Sequence, residues 1–355
     1  MKSFFITHRF WSFTNIAKNI LNFDLLTMEK RYNSYVGWFR EKYGERLQKL
    51  VIDAGFSCPN RDGTISRGGC TYCDNAAFHP GYSIPGKSIR EQLDEGIEFH
   101  KVRYRGASHY LAYFQAYSNT FGPVERLRKV YGEALAHPDV AGIVVGTRPD
   151  CIDNEKLDLL QELKDNGHIV QIEYGVESCY DSTLEHINRG HDFACAARAI
   201  EMTAARGFDV CAHFILGLPF ETRQMLLDQC SLINSLPLHS VKFHQLQLVK
   251  GTAMAAEAKE HPERFLQWTL DEYLDLIVDI LERLRPDLYI ERIAGEVPPR
   301  FVEETRWGLI RNFQILHLLD ERLEQRDTRQ GALLDYGKET LSPDATESMQ
   351  GCSDL

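Results

Sequence analysis

Leu50-Val51-Ile52-Asp53-Ala54, followed after three residues by Cys58-Pro59-Asn60-Arg61-Asp62-Gly63-Thr64-Ile65-Ser66-Arg67-Gly68-Gly69-Cys70-Thr71-Tyr72-Cys73, is the stretch that decides the fold of this chain. The short apolar run reads as a buried parallel strand. The glycine-rich C-x11-C-x2-C loop therefore leaves a strand at its carboxyl end, where parallel α/β barrels build their sites. Three thiolates are one fewer than a closed zinc or iron–sulfur site needs, and an open coordination position is the mark of a site that does chemistry. Thiolates are soft ligands, suited to zinc or to an iron–sulfur cluster. Gly68 and Gly69 allow tight turns and close approach to a bulky inorganic group. Tyr72, just before the last cysteine, could shield such a group or lie against a bound ring.

Strand and helix patterns alternate on either side of this loop. Apolar runs at Lys49–Ala54, His109–Gln115, Val140–Gly146, Ile169–Tyr174, Asp209–Leu216 and Ser240–Val249 read as parallel strands. Helical patterns fall between them at Ser88–Tyr104, Val124–Ala136, Asn154–Asn166, Asp181–Ile187 with Ala194–Arg206, and Glu221–Leu236. Ser88 and Glu91 have the spacing of a capping box. Consecutive β-then-α units imply a parallel sheet with right-handed crossovers. Six of them fit a partial (β/α)6 TIM-type barrel better than a complete eight-unit one, with an open doubly wound sheet as the alternative. A C-terminal α/β extension follows: an amphipathic helix at Leu270–Leu284, a strand at Leu288–Ile293, a Pro298-Pro299 break and a helix at Phe301–Arg326. The apolar stripe in Glu272–Leu284 is core packing.

The chain has 355 residues, 43% of them hydrophobic, enough to bury a large core. Its formal net charge of −11 argues against a surface built for non-specific nucleic-acid binding, though not against a local basic pocket. Nine irregularly spaced cysteines do not make a secreted disulfide framework, which points to a reduced, cytoplasmic protein. No targeting signal is evident, and no run approaches the roughly 20 apolar residues of a membrane span. The reading divides the chain into an N-terminal extension at 1–27, a core domain at 28–295, a helical C-terminal extension at 296–336 and a polar, disordered tail at 337–355.

Several segments, taken in order, resemble the radical S-adenosylmethionine (SAM) superfamily, and within it the elongator-type subgroup and the YhcC-like proteins. They are the cysteine loop with its C-x-aromatic-C ending, Tyr113-Phe114-Gln115-Ala116-Tyr117, Gly146-Thr147-Arg148-Pro149-Asp150, Ile187-Asn188-Arg189-Gly190-His191-Asp192 and Gly217-Leu218-Pro219. The resemblance runs from about Arg31 to Arg300. It implies that Cys58, Cys70 and Cys73 bind three irons of a [4Fe-4S] cluster whose fourth iron is chelated by the amino and carboxylate groups of SAM. It further implies reductive cleavage of SAM to a 5′-deoxyadenosyl radical that abstracts hydrogen from a substrate, either a small molecule or RNA. An electron donor such as flavodoxin or ferredoxin is implied with it. Tyr72 would lie near the adenine, and Gly217 in the loop that supports it. Glu177 would lie near the ribose and Arg189 would meet the SAM carboxylate, an ion pair that chemistry favours. Gln115 opens the segment where the superfamily often has Gly-Gly-Glu, which is absent here. His213 stands where the coproporphyrinogen oxidase branch has a ribose-binding Asp, and Gly146 where that branch has a Glu.

Plainer readings exist for each. Cys58, Cys70, Cys73 and His79 could form a structural Cys3His zinc site. Glu177 and Arg189 could be a structural ion pair, and His213 a satisfied core histidine. Arg148 could cap the third helix or meet substrate. Cys151, Cys179, Cys195, Cys211 and Cys230 read as small buried hydrophobes. Arg283, Arg285, Arg292, Arg300, Arg306 and Arg311 could gather at the barrel mouth to bind RNA.

Overall fold

The computed structural model describes residues 30–103, 107, 109–304 and 307–334. The extension at 1–27, the tail at 337–355 and Arg306 lie outside them. Among the described residues, seven parallel strands form one sheet in the order of the sequence. They are β1 (Gln48–Ile52), β2 (Tyr110–Phe114), β3 (Val140–Thr147), β4 (Ile169–Glu177), β5 (Asp209–Leu216), β6 (Ser240–Gln245) and β7 (Tyr289–Arg292). The strand expected in the C-terminal extension is thus the seventh member of the same sheet, paired parallel with β6. The fold is the partial barrel that the alternation predicted.

Helices α1 (Tyr35–Tyr43), α2 (Ile89–Arg103), α3 (Val124–Leu135), α4 (Asn154–Asp165), α5 (Asp181–His186), α6 (Phe193–Ala204), α7 (Arg223–Ser235), α8 (Ala253–Glu260), α9 (Leu270–Arg283) and α10 (Asn312–Gln325) accompany the strands. Side chains alternate across each strand. One face (Leu50, Ile52, Ala112, Phe114, Ile143, Val145, Ile172, Val210, Phe214, Val241, Phe243) packs against helices in the main core. On the other face, Leu111, Tyr113 and Val144 meet Tyr35, Trp38 and Phe39 of α1, which fills the barrel interior on that side.

Start signals behave as the sequence suggests. Glu91 accepts from the Ser88 backbone at 2.8 Å, while Ser88 Oγ accepts from the Glu91 amide at 3.2 Å. Asp153, Asp192 and Thr222 cap α4, α6 and α7, and Thr269 with Glu272 completes a capping box on α9.

Three boundaries differ from expectation by three residues or more, the first being that of β4, which runs on past Tyr174 to Glu177. The strand expected to reach Val249 leaves the sheet after Gln245: Val249 forms a bridge with Val302, and Lys250 donates to the Phe301 carbonyl at 2.8 Å. The helix expected from Phe301 begins at Asn312, because Gly308 turns the backbone to φ +70° before it.

Candidate active site

The cysteine loop is held by its own backbone. The Cys58 carbonyl accepts from the Arg61 and Asp62 amides at 2.8 and 3.1 Å, and the Asn60 carbonyl from Gly69 at 2.9 Å. Gly69 is required here: its φ is +84°, and a Cβ would fall 2.9 Å from Arg61 Nε. That approach lets Arg61 Nη2 donate to the Cys73 carbonyl at 2.6 Å. Farther elements anchor the loop: Thr71 donates to Ile187 O at 3.0 Å, Met254 donates to Thr71 O at 3.0 Å, and Asn188 Nδ2 donates to Gly69 O at 2.8 Å.

Cys70 is buried, whereas Cys58 and Cys73 are half-buried, and all three are free thiols. Asn60 Nδ2 and Arg189 Nη1 each lie 3.5 Å from Cys70 Sγ. Arg189 is itself buried, donates to Gly175 O through Nη2, and stands 3.6 Å from Glu177. Glu177 lies at φ +74°, where β4 breaks register with β5, a bulge that turns its carboxylate to that guanidinium. Burial and the neighbouring Cys70 push the Cys73 thiol up to about 11, against the pull of Arg61. A bound cation would reverse that logic, since a coordinating thiol loses its proton outright.

The other expected residues divide into two sets. Tyr72 packs with Leu218, Leu184, Ile187 and Met254 beside the loop. Gly217, at φ +93°, has the Trp268 ring 2.9 Å from where a Cβ would lie. Gln115 lines a cavity of about 730 Å³ with Lys49, Lys242, Glu291, Trp268 and Trp307, among others, whereas His213 lies beside Glu173 in the barrel interior. His213 Nε2 is 2.9 Å from Glu173 Oε2.

Sequence reasoning missed Glu173 itself. It is 1% exposed, and Lys49, Lys242 and the Tyr113 hydroxyl donate to it at 2.7, 2.6 and 2.7 Å. Glu291 shares both lysines at 2.6 and 2.8 Å. Burial opposes its ionisation, but Lys242 and Lys49 outweigh burial and hold the Glu173 carboxyl well below the usual range. The signal was present as charges of balanced sign inside otherwise apolar strands.

Among the described residues, one group of three His, Cys or acidic donors lies within 4.8 Å of one another: Glu173, Cys211 and His213. Two ammonium groups already bonded to that glutamate oppose a cation there. Cys58, Cys70, Cys73 and His79 form no such group, so the tight tetrahedron of a zinc site is not assembled. His79 Nδ1 instead stands 3.7 Å from Asp53.

Arg148 precedes the 3-10 turn Pro149–Cys151 but its side chain makes no capping bond; its guanidinium grips Asp150 at 2.8 and 2.7 Å. Cys151, Cys179, Cys211 and Cys230 are buried as expected, and Cys195 is half-buried. Among the described arginines of that set, three gather and two do not. Arg292, Arg300 and Arg311 line the cavity, while Arg285 lies at the amino ends of β5 and β6, donating to Leu238 O, and Arg283 donates to Asp279 O. No described helix is long and apolar enough to cross a membrane.

The sequence matches the family model of the radical SAM superfamily over residues 62–233 and that of the radical SAM C-terminal domain over 238–325. It is 35% identical to the uncharacterized protein YtqA of Bacillus subtilis over 85% of this chain and 92% of that one. It is 38% identical to protein YhcC of Escherichia coli over 76% of this chain and 85% of that one. The chain belongs to the radical SAM superfamily. Members of this superfamily use a [4Fe-4S] cluster and SAM. The fold is also that of a truncated archaeal Elp3 from Methanocaldococcus infernus, with a TM-score of 0.59 at 14% identity. That match covers 80% of this radical SAM chain and 64% of the archaeal one, so it spans less than two thirds of that structure. Cys70 and Cys73 fall inside the superfamily match, and Cys58 lies just before it begins.

Proposed function

We propose that this chain is a radical SAM enzyme in which Cys58, Cys70 and Cys73 hold three irons of a [4Fe-4S] cluster and SAM takes the fourth. The observation that carries the reading is the set of buried polar atoms without protein partners around the loop: Asn60 Oδ1, Thr71 Oγ1, Arg148 Nη1 and Arg189 Nε. Each such atom is costly unless something else completes its hydrogen bonds. A soft, anionic, sulfur-rich group carrying an amino acid meets the thiolates and the two arginine donors, and its amino group can donate to Asn60 Oδ1. When bound, the reduced cluster supplies the electron that cleaves SAM into methionine and the 5′-deoxyadenosyl radical that takes hydrogen from substrate.

The chain's own residues supply position and charge. The Arg189 guanidinium, its plane fixed by Gly175 O and Glu177, is the donor for the SAM carboxylate. Asn60 steadies Cys70 and, through its bond to Asn188 O, ties the loop to the segment that carries Arg189. Tyr72 and Leu218 form an apolar wall suited to the adenine, Gly217 lets the Trp268 ring pack close beside it, and Glu177 is the carboxylate offered to the ribose. Gln115 lines the cavity, and His213 is held by Glu173. A cavity of about 730 Å³ takes a ligand of small-molecule size, or one residue of a longer chain such as RNA presented singly. A one-electron carrier such as flavodoxin or ferredoxin is the donor that this chemistry needs.

Anaerobic reconstitution with iron and sulfide, then reduction with SAM present, tests the reading. The native protein should form 5′-deoxyadenosine, while Cys58→Ala, Cys70→Ala and Cys73→Ala should each form none. Colourless protein that retains stoichiometric zinc, or a cluster indifferent to SAM, overturns it.

A further inference from the structure

Arg148 is 2% exposed, an unusual place for a guanidinium. Its Nε and Nη2 are occupied by the two Asp150 oxygens in a fork–fork pair at 2.8 and 2.7 Å. Its Nη1 is buried and has no protein acceptor. The side chain is also tightly placed. Its backbone amide donates to Ser118 Oγ at 3.3 Å, and the Ser118 amide donates at 3.3 Å to the carbonyl of Ser57, the residue before Cys58. On its other side it meets Gly190, where a Cβ would lie 3.5 Å from Arg148 Nη2 and 2.8 Å from Asn60 Oδ1. Arg148 therefore stands between the strand-three loop, the Cys58 end of the cysteine loop and the segment bearing Arg189. Its electrostatic neighbours include Arg189 and Cys58.

This arrangement is costly for the protein alone. Two buried guanidiniums repel each other as electrostatic neighbours, each with a donor unsatisfied, and each paired with only one carboxylate. An acceptor would complete it, and one with negative charge, toward the neighbouring Cys58, would also offset the two guanidiniums. We propose that Arg148 is a second guanidinium of the cofactor site, whose Nη1 donates to cluster sulfur at the Cys58 end and so makes one-electron reduction easier. The inference rests on the cluster reading above. Hydrogen bonds to the sulfurs are among the levers that set an iron–sulfur potential. One electron from a low-potential donor enters, no bond breaks, and the added negative charge is what the guanidinium stabilises. Arg189 remains the donor for the SAM carboxylate.

The test compares wild-type protein with Arg148→Gln, Asp150→Asn and the double variant, each reconstituted as holoprotein and titrated redox-potentiometrically by EPR without SAM. Both single variants destroy the same ion pair but remove charges of opposite sign, so a bare charge effect would shift the midpoint in opposite directions and cancel in the double variant, whereas a shared structural disturbance would shift both alike. On the proposal, Arg148→Gln and the double variant become harder to reduce by roughly tenfold, about 59 mV for a one-electron couple, whereas Asp150→Asn does not. The double variant leaves no unpaired carboxylate, which keeps the comparison open if Arg148→Gln loads poorly. Equal shifts in the two single variants, or a wild-type midpoint in the double variant, overturn the proposal. An unchanged midpoint with weakened SAM binding would assign Nη1 to SAM and overturn it too. Wild-type protein that takes up no cluster would sink the cluster reading as well, whereas an intact wild-type cluster beside an unshifted double variant removes this inference alone.

Discussion

Replacing Glu173 by Gln perturbs the barrel interior at a point where the arithmetic is well defined. The wild-type layer holds Lys49 and Lys242 against Glu173 and Glu291, with contacts of 2.6 to 2.8 Å, and is balanced in charge. At those separations each attraction is roughly 6 kcal/mol for an effective dielectric constant of about 20, and desolvation offsets most of it. The substitution leaves two ammonium groups sharing Glu291 and deprives the Tyr113 hydroxyl and His213 of their charged acceptor. One buried positive charge is then uncompensated, which costs about 3–5 kcal/mol. Adding Lys242→Met restores balance through the surviving Lys49–Glu291 pair, so the double variant should be less damaged than Glu173→Gln alone, within about 2 kcal/mol of wild type. Urea unfolding followed by circular dichroism reads each stability. The sign with pH is also set: the carboxyl is depressed in the folded state, so its contribution is present at neutral pH and lost as pH falls below the ordinary carboxylate range. A cost under about 1 kcal/mol for Glu173→Gln, or strict additivity with Lys242→Met, would refute the charge-balance argument.

Glu221 gives the opposite pH dependence. Burial raises its carboxyl from 4.5 to about 7, against hydrogen bonds from Ser178 and Thr183. The folded state therefore holds this proton more tightly, and stability is full below about pH 4.5 and lost as pH rises through 7. Glu221→Gln should match wild type near pH 5 and exceed it at pH 8 by up to roughly 3 kcal/mol; parallel stability–pH curves would dismiss the idea. Two glycines should respond in opposite directions to alanine. At Gly142 a Cβ would lie 2.1 Å from Ile169 O, which forces β3 and β4 apart and should cost about 3 kcal/mol or more in urea unfolding. At exposed Gly132 in α3 nothing lies within 4 Å, and the same change should stabilise by about 0.5–1 kcal/mol.

The strands were legible because each is an apolar run bounded by turn residues, and the loop because three cysteines with flanking glycines have few other uses. What escaped reading shares one property: its partner is distant in sequence. Lys49, Glu173, Lys242 and Glu291 each interrupt an apolar strand, and nothing local says that four such interruptions meet. Leu246 to Val249 keeps a strand-like composition yet leaves the sheet, because segment 301–303 offers it another backbone partner. The short helix α1 has too little periodic contrast to announce itself, and its aromatic face acquires meaning only once Leu111, Tyr113 and Val144 curve round it. As sequence, Asn60 and Asn188 are only members of their segments, and their bonds, which join the cysteine loop to the segment that carries Arg189, depend on the fold.

The segment at 30–34 lies beside β7 rather than beside the strand it precedes. Ile290 donates to Asn33 O at 2.8 Å, Gln330 donates to Arg31 O at 2.9 Å, and Lys30 pairs with Asp320. Gln330 then reaches Arg285 O and Leu288 O at 2.7 and 2.8 Å, clasping the last strand just before it starts. These contacts join residues almost 300 positions apart, and loop closure over such a span comes late. On a ribosome, the early segment must wait unpartnered while β1 to β6 accumulate, and the seventh strand is locked only after residue 330 has emerged. Assembly of the edge that flanks the cavity is thereby a checkpoint on synthesis: a chain stopped short of α10 could build the cysteine loop and still leave that edge unfastened.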